Sequence, residues 1–424
     1  MLLWSGHSVS LIGSQVTVLA LPLVAAITLG ASAWEMGVLV ACGRAPYLVL
    51  GLPAGVWIDR WPRRKVFMVC ALGQAVTLAM VPLAGTADLL SLALLAVVAF
   101  VAGAFAVFAD IATLSLVPMV VPRDQLTSSQ GALETSQSVS QIAGPALAGW
   151  LVQVLTAPLA ILADAVSFLV AAITMGRIRI QEPSAGKEPG AGMIHQIMAG
   201  AGAVFGHRVL RYVTLCTTTH ILFFNAFTAV FVLYLVRDLG MSPSVVGAAL
   251  SAGAVGGVIG SIAAARLSAR IGMGRTMTGA IVVAGTGSAL VVVARDSSVA
   301  SVALVAGTQV LMWCALQIYN VLQVPVRYAV TPAAMHGRVN ATVRTTVWGT
   351  APLGALIGGL AGNLVGLPTT LIVSGVGAAL AAVWLIGTRV TRIDNLDAAM
   401  EFGREFSLSP RSGVSRGSGR RPNP

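Results

Sequence analysis

GLPAGVWIDRWPRRK, residues 51–65, decides the fold. An apolar run ends in Asp59 and Arg60, meets Pro62, and then delivers Arg63, Arg64 and Lys65 together. Dense charge directly against a greasy segment is what the end of a membrane-spanning helix looks like. Composition extends the reading to the whole chain. Hydrophobic residues make up 56% and charged residues 10% of the 424 positions, against about 25% charged in soluble domains. Mean hydropathy is +0.86. Apolar stretches of about 20 residues, the length that crosses a bilayer, recur throughout. Lipid leaves backbone groups no partner outside a helix or a closed barrel. These runs do not alternate as barrel strands do, so the fold class is all-α and integral to the membrane.

Twelve transmembrane helices are predicted, at residues 3–29, 36–57, 66–83, 89–109, 129–155, 158–175, 210–236, 245–268, 277–294, 299–321, 342–364 and 368–387. All Lys and Arg except Arg44, Arg237 and Arg295 fall in the loops and tail of one side or in the span ends that adjoin them. The positive-inside rule makes that side cytoplasmic, with both termini on it. The quoted stretch is then a cytoplasmic turn between spans two and three. The formal net charge of +11 comes mostly from Arg at helix ends. No basic run is interleaved with exposed aromatics, so nucleic acid is not an expected partner. The four cysteines, Cys42, Cys70, Cys216 and Cys314, all fall inside spans and read as small packing residues.

The chain repeats itself. LGASAWEMG, residues 29–37, resembles LGMSPSVVG, residues 239–247, at an offset of 210 residues. The same offset pairs Gly43 with Gly253, Arg60 with Arg270, Asp110 with Asn320, Gly144 with Gly354, Gly149 with Gly359 and Pro158 with Pro368. A constant register across six spans predicts two pseudo-symmetric six-helix bundles of one orientation, over residues 1–180 and 209–392. Between them, residues 181–208 read as a polar cytoplasmic linker and an amphipathic surface helix (MIHQIMAGAGAVFGHR). Residues 393–424 read as a basic, mostly disordered cytoplasmic tail. At the repeat offset, the basic lead-in HRVLR (207–211) of the second half maps to the start of the chain and beyond it, so a matching segment is expected upstream of Met1.

With these residues in place, GVWIDRWPRR resembles the signature loop of the major facilitator superfamily, with Pro62 at a usual glycine. SQIAGPALAG, residues 140–149, resembles the fifth-span motif of its drug/proton antiporters, with Gly144, Pro145 and Gly149 intact. GRAPYLVLGLPAGVWIDR and SVSQIAGPALAG are most similar to the branch of enterobactin exporters and macrolide or multidrug efflux proteins. The resemblance implies the major facilitator fold. It also implies a cytoplasmic gate built on Gly55, Asp59, Arg60, Arg63, Arg64, Asp110, Glu134, Arg270 and Arg344. In that arrangement Arg63 pairs with Asp110. Asp59 approaches Arg344 at the start of span eleven, and Glu134 approaches Arg270, as two halves of a latch; static ion pairs that only hold the fold are the alternative. The family's cavity is lined by spans one, four, seven and ten, which here carry Gln15, His220, Asn225, Phe227, Gln309, Trp313, Gln317 and Asn320. The span-four arginine of many drug antiporters is not evident.

Two charges lie deeper. Arg44 is nine residues past Glu35, about 13 Å in, and Asp164 is six past Pro158, about 9 Å in from the same side. Intramembrane ionisable residues mark functional sites and are usually paired. Asp164 with Arg44 is therefore the candidate for proton coupling, and a permanent structural pair is the alternative. No nucleotide-binding G-x-x-x-x-G-K-[ST] and no H-E-x-x-H occurs, and the five histidines are scattered at 7, 195, 207, 220 and 336. The sequence thus points away from an ATP-driven pump, an enzyme, a cofactor or a metal site. It predicts a secondary transporter of the plasma or inner membrane, monomeric. Such a transporter exports a bulky amphipathic small molecule in exchange for protons. A non-transporting receptor or scaffold, or a membrane-embedded enzyme, is the alternative.

Overall fold

The computed structural model describes residues 2–58, 61–120, 126–177, 193–332, 335–395, 397, 398 and 400. These residues form helices and turns with no strand among them. The first bundle comprises α1 (Leu2–Leu23), α2 (Ala33–Ile58), α3 (Arg63–Thr86), α4 (Leu92–Val120), α5 (Leu126–Val154) and α6 (Ala157–Arg177). A short helix, α7 (Met193–Gly206), precedes the second bundle. That bundle comprises α8 (Arg208–Leu233), α9 (Pro243–Ile271), α10 (Met273–Ala289), α11 (Val299–Ala329), α12 (His336–Gly349), α13 (Ala351–Val365) and α14 (Leu367–Leu380). Nine helical stretches among the described residues are long and apolar enough to cross a membrane. The predicted eleventh span is divided between α12 and α13. The hydrogen-bond ladder is interrupted at Thr350, where Pro352 has no N–H to offer the preceding turn, while Thr350 itself stays in the right-handed helical region (φ −84°, ψ −13°) and the Gly354 N–H bonds its carbonyl at 2.9 Å.

Within the first bundle α1 packs on α5 and α6, α3 on α4 and α6, and α2 on α4. In the second, α8 packs on α13 and α14, α10 on α11 and α14, and α9 on α11. Two seams join the bundles, α2 against α13 and α5 against α9. The repeat read from sequence is visible in the backbone. Both α1 and α8 end in a π turn, Val24–Thr28 and Tyr234–Asp238, offset by 210 residues. Each π turn is followed by a glycine at positive φ, Gly30 at +62° and Gly240 at +64°, a conformation that costs other residues their Cβ clearance. The closing hydrogen bonds also match: Ala31 N–H to Ala25 O at 2.9 Å in one half, Met241 N–H to Leu235 O at 3.0 Å in the other.

Helix α7 lies where the amphipathic linker helix was expected. It packs against α12 and α8, and Gly200 sits directly on the Arg338 carbonyl and Thr342 of α12. The linker 178–192 and the residues from 401 onward lie outside the described residues. All four cysteines are free thiols.

Candidate functional site

The two inter-bundle seams close at the end predicted to be outer. Gly149 of α5 meets Gly247 of α9 backbone to backbone: a Cβ on Gly149 would lie 3.1 Å from the Gly247 Cα, and one on Gly247 would lie 3.0 Å from the Gly149 Cα. Gly37 of α2 meets Gly359 of α13 the same way, each hypothetical Cβ falling 2.7 Å from the other Cα. With no hydrophobic driving force between helices in lipid, small residues are what permit such approach. Ser251 accepts a hydrogen bond from the Ala146 N–H at 2.9 Å, next to Pro145 inside α5. The Arg237 guanidinium donates to the carbonyls of Gly30 at 3.2 Å and Ala31 at 2.9 Å, clasping the α1–α2 loop from the second bundle.

Towards the end predicted to be cytoplasmic, α2, α4 and α12 assemble a charged and aromatic cleft. Arg44, exposed although nearly halfway along α2, places its guanidinium carbon 5.9 Å from the Trp348 ring of α12. The Tyr47 hydroxyl donates to Asp110 at 2.9 Å. Arg344, one turn before Trp348, is within electrostatic reach of both Tyr47 and Asp110. Below them Trp57 stacks on Phe108 with centroids 6.0 Å apart and planes 2° from parallel. A planar cation over indole and a row of aromatic faces suit an amphipathic guest.

The expected pairing of Arg44 with Asp164 is not formed. Asp164 is buried at 1% exposure and accepts hydrogen bonds from Thr17 of α1 and, at 3.0 Å, from the Ser167 hydroxyl. Rotation sends Asp164 towards α1 and Arg44 towards α12. Asp110 has Tyr47 as a partner that sequence reasoning missed.

The cavity residues divide. His220, Asn225, Phe227 and Gln309 are buried in helix packing in this structure. Phe227 stacks on Phe231 at 4.7 Å, and His220 stacks on Phe224 at 6.2 Å. Gln15 and Asn225, repeat mates, do one structural job each. Gln15 packs over Gly144, and Asn225 packs over Gly354 while donating to Ile221 O at 2.8 Å. Trp313, Gln317 and Asn320 are half-buried on α11.

At the signature loop, Asp59 and Arg60 lie outside the described residues, as do the surroundings of Gly55 and the side chain of Glu134. Both latch pairs therefore fall outside them. Arg64, in the first turn of α3, donates to Met175 O at 3.2 Å and Gly176 O at 2.6 Å, where the end of α6 presents unpaired carbonyls and partial negative charge. Arg63 opens α3, and Arg270 and Arg344 are exposed in α9 and α12.

Residues 3–232 and 213–418 match the sequence profile of the Major Facilitator Superfamily. The chain belongs to this superfamily. Among curated proteins it is 25% identical over 401 residues to the multidrug efflux pump Tap of Mycobacterium tuberculosis, covering 91% of this chain and 92% of that one. It is 27% identical over 183 residues to macrolide efflux protein A of Streptococcus pyogenes, a match that spans 42% of this chain and only 44% of that relative's length. Among solved structures, the nucleoside transporter NupG superposes with TM-score 0.71 at 14% identity, over 91% of this chain and 97% of NupG. A bacterial homologue of the iron transporter ferroportin, in an inward-facing state, superposes with TM-score 0.68 at 18% identity, over 91% and 97%. The proteins it resembles are transporters, and this superfamily member is a multi-pass membrane protein.

The residues that sequence reasoning missed in this transporter are Thr17, Ser167, Tyr47 and Trp348. Hydroxyls and aromatics are ordinary in membrane helices. The usable signal was spacing: Ser167 is three residues after Asp164, and Trp348 is four after Arg344.

Proposed function

We propose that this chain is a secondary active exporter of bulky amphipathic small molecules, driven by proton entry. In this reading it is a monomer of the cell membrane with twelve spans, divided as 1–180 and 209–392, and with both termini and the linker cytoplasmic. The observation that carries the proposal is the cleft of Arg44, Tyr47, Asp110, Arg344 and Trp348. Its Arg44, Asp110, Arg344 and Trp348 are exposed and Tyr47 is half-buried, between two bundles whose predicted outer ends are sealed by glycine contacts. A substrate would enter from the cytoplasmic side, and rocking of the bundles about the cleft would carry it outward. End-to-end similarity to a multidrug efflux pump supports export as the direction.

Asp59 with Arg344 and Glu134 with Arg270 would form the cytoplasmic latch when the outer seams part. Asp164 would carry the coupled proton, because among the described residues it is the one carboxylate sealed inside the first bundle between hydroxyls rather than beside a cation. The test is a drug-susceptibility panel in a strain lacking the gene, paired with flux of a macrolide into inverted membrane vesicles. Resistance and flux restored together by the wild-type chain support export; a chain at full membrane abundance that moves no compound on the panel contradicts it.

A further inference from the structure

We infer that His7 is the cytoplasmic port of a proton path running between α1 and α6 to Asp164. The inference rests on the reading that Asp164 carries the coupled proton, and it adds how a residue with no direct exposure exchanges that proton with the cytoplasm.

The two helices run antiparallel and approach closely at two glycines. The bare backbone of Gly13 faces Ser167 and Asp164, and that of Gly6 faces the Thr174 side chain. Positions 6, 10, 13 and 17 of α1 form one helical stripe, and positions 164, 167, 171 and 174 of α6 form the facing one. The polar members, Ser10 and Thr17 on one side and Asp164, Ser167 and Thr174 on the other, make a hydroxyl-bearing seam in otherwise apolar helices. Ser10 and Ser167 are buried, at 8% and 5% exposure. Ten residues separate Thr174 from Asp164 and His7 from Thr17, about 15 Å along either helix.

At the cytoplasmic end of this seam is a small cavity of about 10 Å³, near the size that admits one water. His7, Thr113 and Thr174 give it three polar groups, and Phe67, Leu116 and Met175 close it with apolar surface. A water there has the two to four partners it needs. His7 is the one titratable side chain among the residues lining this cavity. Imidazole exchanges protons near neutral pH and presents two nitrogens, so it can take a proton on one side and release it on the other.

The transfer balances simply. The His7 imidazolium loses one proton to the cavity water and becomes neutral. Each hydroxyl in the seam accepts one proton and passes on another. The Asp164 carboxylate gains one and becomes the neutral acid, with no bond to carbon changed and nothing oxidised. Release to the cytoplasm is the same sequence reversed.

The test follows the carbonyl stretch of protonated Asp164 by infrared spectroscopy on the purified full chain in lipid nanodiscs, the band being assigned by its loss in Asp164→Asn. After a pH jump, His7→Gln should reach the same final band amplitude as wild type but on the order of 10²-fold more slowly, the usual contribution of a positioned proton carrier. Thr174→Val, which removes only a hydroxyl, should also retard it and serves if His7→Gln does not fold. Wild-type rates in these variants overturn the path while leaving Asp164 as the coupling residue. The absence of any titrating band that Asp164→Asn removes overturns the coupling reading itself, and the path with it.

Discussion

Gly149 and Gly247 touch backbone to backbone across the α5–α9 seam, and Gly37 and Gly359 repeat that contact across α2–α13 at the 210-residue offset of the sequence. The four residues form a two-fold closure in which neither seam tolerates a side chain. Adding one methyl should force the seam apart. Overpacking costs about 1–3 kcal/mol, and 1.4 kcal/mol is a tenfold shift in a two-state equilibrium. Gly149→Ala and Gly37→Ala should each raise outside labelling of a reporter cysteine in the cleft about tenfold and lower export. Unchanged labelling in both would show that the seams do not gate access.

Arg237 has no basic counterpart in the first half, where the repeat position is Ile27. Its clasp on Gly30 and Ala31 is therefore one-sided. Loss of these two hydrogen bonds, one exposed and one partly buried, is worth about 1 kcal/mol, so Arg237→Gln should favour outer opening about fivefold. The same cysteine-labelling measurement reads it, and the effect should be smaller than that of the seam glycines.

Arg44 and Trp348 approach across the cleft. A cation over an indole contributes about 0.5–2 kcal/mol. Arg44→Ala, Trp348→Phe and the double substitution should show a coupling energy in that range for the apparent affinity of macrolide uptake into inverted vesicles. Strict additivity would mean that the two residues act independently. Arg44→Lys should not restore the wild-type value, because an ammonium lacks the planar face.

The loop before α11 gives a pH prediction outside the membrane. Asp296 accepts hydrogen bonds from the Ser298 and Ser301 hydroxyls, both at 2.6 Å, and these hold its carboxyl below the ordinary value of 3.8. A carboxylate with a lowered folded-state value stabilises above its unfolded value and loses that contribution as pH falls through the folded one. Asp296→Asn should therefore unfold at a lower temperature than wild type at neutral pH. The difference should shrink below about pH 4. A difference that persists unchanged into stronger acid would contradict the assignment.

The repeat was legible because backbone geometry imposes it. Gly30 and Gly240 occupy positions that need positive φ, and the close-packed glycines occupy positions that admit no Cβ. Asp164 stood out because a charge in an apolar run is costly. Its partners did not, since helix rotation is set by packing with neighbours far away in sequence. The same reason hid the role of Gln15 and Asn225. Both are polar residues on predicted cavity helices, yet each covers a glycine of a neighbouring helix. The interrupted ladder at Thr350 was also unreadable, because the residues on both sides are helix-compatible and Pro352 is tolerated in a first helical turn.

The central claim is that export is powered through Asp164. The direct measurement is macrolide accumulation in inverted vesicles under an imposed pH gradient, wild type against Asp164→Asn at equal membrane abundance. Wild type should concentrate the compound, and the variant should bring it only to equal concentration on both sides, because an amide cannot take up and release the proton. Accumulation by the variant to the wild-type level would contradict the account.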